Sequence, residues 1–202
     1  MINLTIITSH FNNINELFCT YNSLRSQTYN NWNLIIVDSY TPNFFKEVNH
    51  EILKDKRVKI IQQESGIYDA MNLGILQVNT DYFQILNSGT TYFSETSLEL
   101  SMREIDNLTI KFGYLVHTYK MAIINLKKVK SSKLMKFTYP FNCGHESTMY
   151  PNPKKNRILH YHKYKISADC NFLLDYSDYY KVYFHENILV RYPKGGYSDS
   201  PD

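Results

Sequence analysis

Cysteine is scarce: Cys19, Cys143 and Cys170 are three in 202 residues. An odd number at wide spacing gives neither a disulfide framework nor a zinc-finger pattern, and fits a reducing compartment. Charge of one sign is also lacking. A net charge of +3, with 20% charged residues, is too small a bias to argue for nucleic acid as a partner. No apolar run approaches the length needed to cross a bilayer. The opening MINLTIITSHFNN has no basic leader segment and no cleavage site. The expected location is therefore cytoplasmic, with peripheral contact at the inner face of a membrane left open. No internal repeat and no composition break suggesting a linker is present, so one domain is expected over residues 1–202.

What is present is a chain that is 43% hydrophobic, sufficient for a real core, and rich in aromatics, with 18 Tyr and 11 Phe. Tyrosine-rich surfaces suit sugars, because a ring stacks on C–H groups while its hydroxyl hydrogen-bonds. AT-biased coding, which also favours Asn, Lys and Ile, produces the same composition.

The first half alternates regularly. Leu4 to Thr8, Leu34 to Asp38, Val58 to Gln62 and Tyr82 to Asn87 are short apolar runs of the kind shown by buried parallel strands. Between and after them, Ile14 to Leu24, Phe44 to Leu53, Ile67 to Val78 and Ser94 to Ile105 carry helical spacing, with Ser94 a candidate N-cap. Four strand–helix alternations with short links predict an α/β fold whose mostly parallel sheet is covered on both faces. The second half is less regular. Leu108 to Leu126 reads as two strands, the lysine-rich Lys127 to Lys136 as a solvated hairpin or a membrane contact, and Cys143 to Arg157 as a loop. Ile166 to Tyr176 reads as a helix and Val182 to Val190 as an edge strand, before a mobile PKGGYSDSPD tail.

In such sheets ligands bind beyond the carboxyl ends of the strands. Thr8, His10, Phe11 and Asn12 follow the first strand and Asp38 ends the second. Glu64-Ser65-Gly66 follows the third, and Asn87-Ser88-Gly89-Thr90 the fourth. An Asp at a strand end can accept hydrogen bonds from a base or ribose, and helix N-termini can hold phosphate. These features alone specify a nucleotide or small-anion site. A nucleotidyltransferase would want a glycine-rich, basic loop after the first strand, and SHFNN is not one.

The ordered series TSHFNN, LIIVDS, ESGIYDAMNLGI, YFQILNSGTT, CGHESTMY, ISADCNFLL and GGYS resembles the small family 2 glycosyltransferases of bacterial polysaccharide and glycan assembly. The resemblance implies a GT-A fold: a Rossmann-like, mostly parallel sheet flanked by helices, with a smaller mixed acceptor-side region. The nucleotide-binding half would span about 1–93 and the acceptor half about 94–202. It further implies inverting transfer of a sugar from a nucleotide-sugar, usually UDP-linked, to a saccharide or lipid-linked acceptor in surface polysaccharide biosynthesis.

Carried onto this chain, the resemblance places Thr8, Phe11 and Asn12 against the nucleotide and Asp38 on the uracil or ribose. Gly66, Asp69, Asn72, Asn87, Ser88 and Gly89 fall beside the ribose and diphosphate, and Asp169 is the catalytic base. Each has a plainer alternative: turn chemistry for Thr8 and Asn12, a turn cap for Asp38, a helix-start residue for Asp69 and Asp169, a packing amide for Asn72. Asp175 and Asp178 are placed like solvated helix-end residues. His145 and Glu146 match a His-Gln pair of relatives, near the donor sugar or diphosphate.

The chain departs from the pattern at Thr90, where relatives end LNSGD on an Asp of the metal-binding region. A hydroxyl is a poor ligand for Mn²⁺ or Mg²⁺, so metal use is in doubt, with Glu146 a candidate replacement carboxylate. Lys154, Lys155, Arg157 and Lys194 are candidates to neutralise the diphosphate, or are ordinary surface charges. Gly195-Gly196-Tyr197-Ser198 matches a segment that closes over the site. His160 and His162 find no third ligand. Thr90 also keeps open a different class: a degenerate transferase that only binds nucleotide-sugar or glycan, or acts as a scaffold. Oligomeric state is not legible.

Overall fold

The computed structural model describes residues 3–106, 113–117, 145–153, 158–159, 168–185 and 188–193. Nine strands are described: β1 (Leu4–His10), β2 (Trp32–Asp38), β3 (Val58–Gln62), β4 (Tyr82–Ile85), β5 (Thr91–Tyr92), β6 (Gly113–His117), β7 (Thr148–Pro151), β8 (Lys181–His185) and β9 (Val190–Arg191). Seven form one sheet in the order β3-β2-β1-β4-β7-β6-β8, and β5 pairs with β9 in a second. The pairings β3-β2, β2-β1 and β1-β4 are parallel, β7 runs antiparallel to both neighbours, and β6-β8 is parallel again.

Helices cover both faces because β1 and β4 are apolar on both sides. One face packs Leu4, Ile6, Leu34 and Ile36 against α1 (Ile14–Arg25), the short α2 (Phe44–Glu47) and α3 (His50–Lys54), and α5 (Ser97–Asp106). The other packs Ile7, Phe83 and Ile85 against α4 (Ile67–Gln77) and α6 (Ala168–Tyr179). On that face Phe83, Tyr150, Phe172 and Tyr176 form a contiguous ring cluster with centroids 4.9–6.3 Å apart.

The α/β class and the parallel first half agree with the sequence reading, and four elements differ from it. Phe44 to Leu53 is two helices, because Val48 turns extended and the Asn49 side chain caps a fresh start at the Glu51 amide, 2.8 Å away. Ser94 is not the N-cap of α5. It forms a turn with Ser97, accepting the Ser97 amide at 3.2 Å, so the helix begins three residues later. The stretch read as a loop from Cys143 contains a 3₁₀ turn (His145–Ser147) and then β7, buried at all four positions inside the sheet. Val182 to Val190 divides between β8, beside β6, and β9, which crosses to pair with β5. Of Leu108 to Leu126, β6 is described; Lys127 to Lys136 lies outside the described residues.

At Gly74, α4 touches β1 so closely that an added Cβ would lie 2.3 Å from Ile7 Cγ2. Alanine normally stabilises a helix interior over glycine by about 0.5–1 kcal/mol. Here the sign reverses: Gly74→Ala is expected to cost about 1–3 kcal/mol in urea unfolding. Ile7→Ala should cost less in that background than alone, because it removes the clashing methyl.

Candidate functional site

Strand order reverses between β1 and β4, the switch point where an open sheet leaves a crevice beyond its carboxyl ends. Three side-chain or main-chain bonds tie those ends together. Ser9 Oγ donates to Asn87 Oδ1 at 2.5 Å, the Ser88 amide donates to the Ser9 carbonyl at 3.2 Å, and His10 Nδ1 lies 3.0 Å from Ser88 Oγ. Burial lowers the His10 pKa and so favours a neutral ring, against the opposing pull of the Asp38 charge. Gly89 turns the chain with φ +96°, a conformation a side chain would strain, and its amide donates to Thr20 Oγ1 of α1 at 2.9 Å.

Asp38 ends β2 and is fully buried. Its carboxylate accepts from the Thr41 amide at 3.0 Å, Thr41 Oγ1 at 2.5 Å and Gln62 Nε2 at 2.8 Å. Thr41 Oγ1 in turn accepts the Asn12 amide at 2.8 Å. Asp38 therefore braces the β1–α1 and β2–α2 loops from below, the turn-capping alternative, with most of its acceptor capacity used. Both loops hold left-handed non-glycine residues, Asn12 (φ +64°) in one and Tyr40 (φ +59°) and Asn43 (φ +57°) in the other. Such strain persists where surrounding bonds over-determine it. The aromatic rings of Phe11 and Tyr40 stand exposed above this brace, at 60% and 59%.

At the foot of α4, Gly66 is the N-cap without a side-chain cap bond. Asp69 sits in the exposed first turn, where the helix dipole favours its charge, and Asn72 is buried. Thr8 is buried on β1, its Oγ1 finding no partner among the described residues.

The second half enters the site through Glu146, which is 3% exposed. Its Oε1 accepts from the Asn87 amide and from Thr90 Oγ1, each at 3.1 Å. Its carbonyl accepts Gln84 Nε2 at 2.6 Å, and Gln84 Oε1 accepts the Tyr92 hydroxyl at 2.7 Å. Thr90 and Glu146, the two positions at which the sequence departs from the pattern it resembles, are thus in contact. Burial pushes the Glu146 carboxyl up to about 7; the Asn87 and Thr90 donors oppose this, and the nearby Asp169 charge adds to it. Asp169 is half-buried in the first turn of α6. One carboxyl group from the second half, the buried Glu146, therefore meets the loop after β4, and the half-buried Asp169 lies close enough for its charge to act on it.

Of the residues expected at the site, Thr8 lies on β1, Phe11 and Asn12 follow it, Asp38 ends β2, Asn87, Ser88 and Gly89 follow β4, and Gly66, Asp69 and Asn72 lie at the N-cap or along α4. His145 lies in the 3₁₀ turn next to Glu146, with its side chain outside the described residues. Lys154, Lys155, Arg157, Lys194, His160, His162 and 195–198 also lie outside them. Asp175 is half-buried and Asp178 exposed in the later turns of α6. Thr41 was not singled out from the sequence, although an Asp followed three residues later by Thr is a turn-forming spacing. Among the described residues no three His, Cys, Asp or Glu side chains come together to hold a metal ion. With Thr90 turned to Glu146, these residues do not fit a protein-built metal cage.

A family model for glycosyl transferase family 2 matches residues 5–173. The chain belongs to that family. No curated protein matches the sequence. Among solved structures, this family 2 domain resembles S. aureus TarS 1–349 in complex with UDP-GlcNAc (TM-score 0.78, 14% identity, 98% of this chain and 61% of that one). It also resembles the same protein in complex with UDP (TM-score 0.73, 15% identity, 94% and 60%). A third likeness is the mannosyltransferase PcManGT from Pyrobaculum calidifontis in complex with GDP-Man and Mn²⁺ (TM-score 0.75, 12% identity, 97% and 59%). At these identities the likeness establishes the GT-A fold, and the family 2 domain spans about three-fifths of each of these three chains.

Two outcomes follow from the buried carboxyl. Below pH 4.5 Glu146 is protonated in both the folded and unfolded chain, and between 4.5 and about 7 only the unfolded chain ionises it. Stability contributed at low pH is therefore lost as pH rises through about 7, by up to about 3 kcal/mol relative to Glu146→Gln, measured by urea unfolding across that window. Separately, Thr90→Asp places two acids in buried contact and should destabilise by about 2–4 kcal/mol. Adding Glu146→Gln should restore most of that loss in the same assay.

Proposed function

We propose that this domain is an inverting glycosyltransferase that takes a UDP-sugar and passes the sugar to a saccharide or lipid-linked glycan in surface polysaccharide assembly. The observation that carries the reading is the joining of the β4 end to Glu146, a carboxyl group on which the Asp169 charge at the start of α6 also acts. Family membership supports transfer from a nucleotide-sugar, and relatives of the same fold carrying UDP, UDP-GlcNAc or GDP-Man support a nucleotide in that crevice.

In this reading Phe11 offers a ring face to the base. The loop amides around Asn12 and the α4 N-terminus face the ribose and diphosphate. The acceptor hydroxyl attacks the anomeric carbon from the side opposite the diphosphate. As the new C–O bond forms, the bond to the nucleoside diphosphate breaks with its electron pair, and the hydroxyl proton passes to the Asp169 carboxylate. Glu146 contributes a carboxyl group next to Thr90, and no step is routed through a metal. Among the described residues no helix is long and apolar enough to cross a membrane, so a lipid-linked acceptor would be met at the membrane surface.

The test is calorimetric binding of UDP, GDP and a panel of UDP-sugars, with and without Mn²⁺, followed by an acceptor screen. Micromolar UDP binding is expected, with Asp169→Asn keeping affinity and losing transfer by about 10²–10⁴-fold. Asp38→Ala and Thr41→Val separate bracing from reading. If both weaken UDP alike, Asp38 acts through the loops; if Thr41→Val leaves affinity intact while Asp38→Ala abolishes it, Asp38 meets the nucleotide. Binding of no nucleotide at all would overturn the enzyme reading and leave the degenerate scaffold.

A further inference from the structure

The start of α6 is held by a residue of the opposite half of the chain. Tyr68, at the second position of α4, accepts the Ala168 amide on its hydroxyl oxygen at 3.3 Å, across a separation of 100 residues. Ala168 is the first residue of α6 and immediately precedes Asp169. The first four amides of a helix have no partner within it, so a hydroxyl that accepts one of them fixes where the helix begins. The Tyr68 ring itself packs at the edge of the cluster containing Met71, Phe172 and Tyr176.

The body of α6 has separate anchors. Phe172, Leu173 and Tyr176 are fully buried, and the Tyr176 hydroxyl donates to the Pro151 carbonyl at 3.3 Å. Removing the Tyr68 hydroxyl would therefore leave the helix docked and loosen only its first turn, which carries Asp169. Tyr68 is also the residue before Asp69, on the helix whose N-terminus opens the donor side of the crevice. One tyrosine thus connects the two sides of the site.

We propose that Tyr68 is a positioning residue for sugar transfer, its hydroxyl setting the first turn of α6 and with it the Asp169 carboxylate. This rests on the reading of Asp169 as the base.

The test is Tyr68→Phe, which keeps the ring and deletes the hydroxyl. Amide exchange in residues 168–171 is expected to quicken by about tenfold while residues 172–179 stay unchanged, a change on the scale of one lost hydrogen bond. UDP affinity should stay within about twofold, and kcat should fall about tenfold with the donor KM unchanged. Adding Tyr68→Phe to Asp169→Asn should cost nothing further, since both act through one carboxylate. Unchanged exchange at 168–171, a loss of kcat matched by loss of UDP affinity, or a full multiplicative loss in the double variant would each overturn the proposal. If wild type transfers to no acceptor, the reading of the base fails. The exchange measurement then still decides whether Tyr68 holds the helix.

Discussion

The crevice depends on one buried carboxyl group with two donors. Glu146 Oε1 takes the Asn87 amide and the Thr90 hydroxyl, and with the Gln84 side chain donating to the Glu146 carbonyl these bonds join the β4 end to the 3₁₀ turn that leads into β7. A buried polar group must be satisfied or it costs more than it contributes. The turn at His145–Ser147 is thereby confined to one position against the β4 loop, and β7 enters the sheet in register from there. Through β7 the same contact orients the second half: Tyr150 stacks on Phe83, α6 packs its rings on Tyr150, and Asp169 follows. The second half is thus tied to the first at this buried acid, along the β4–β7 ladder and at the Tyr68–Ala168 bond.

The β1–β2 side of the switch point has its own buried acid, used differently. Asp38 spends its hydrogen bonds on Thr41 and Gln62, and Thr41 passes the constraint to Asn12. Three non-glycine residues in left-handed conformation within these two loops are a standing cost that the brace offsets. What it secures is loop shape, with exposed Phe11 and Tyr40 and the amide-bearing turns held still before a ligand arrives. A preorganised loop loses less freedom on binding, which raises affinity without any added contact.

The first half was legible in the sequence because each of its signals was local. Buried parallel strands read as apolar runs: β3 carries the expected boundaries, and β1 and β2 extend theirs by two residues at one end. Of the differences, the break at Val48–Asn49 and the Ser94 turn are local, and the other two depend on contacts distant in sequence. Thr148–Pro151 looks like a loop because it holds a proline and follows a polar turn. It becomes a strand because Tyr82 and Phe83 on one side and Leu115 and Val116 on the other pair with it. Val182 to Val190 carries two apolar triplets separated by His185-Glu186-Asn187, and its two parts find different partners, β6 and β5. The site was legible as a set of strand ends and a helix start. Which side chains touch was not: Asp38 could be placed at the crevice, but its engagement by Thr41 and Gln62 needs the turn and β3 in space, and Tyr68 meets Ala168 only after both helices pack on the same face.

Thr90 and Glu146 belong to the same geometry, the Thr90 hydroxyl donating directly to the Glu146 carboxyl group. That carboxyl group is enclosed, and enclosure raises its pKa to about 7, whereas Asp169 is only half-buried. Two neighbouring carboxyl groups in unlike environments do not compete for one role. The enclosed acid is bound into the scaffold by its donors, whereas the carboxylate at the start of α6 is half-buried, and of the two it is Asp169 that the proposed transfer uses as base.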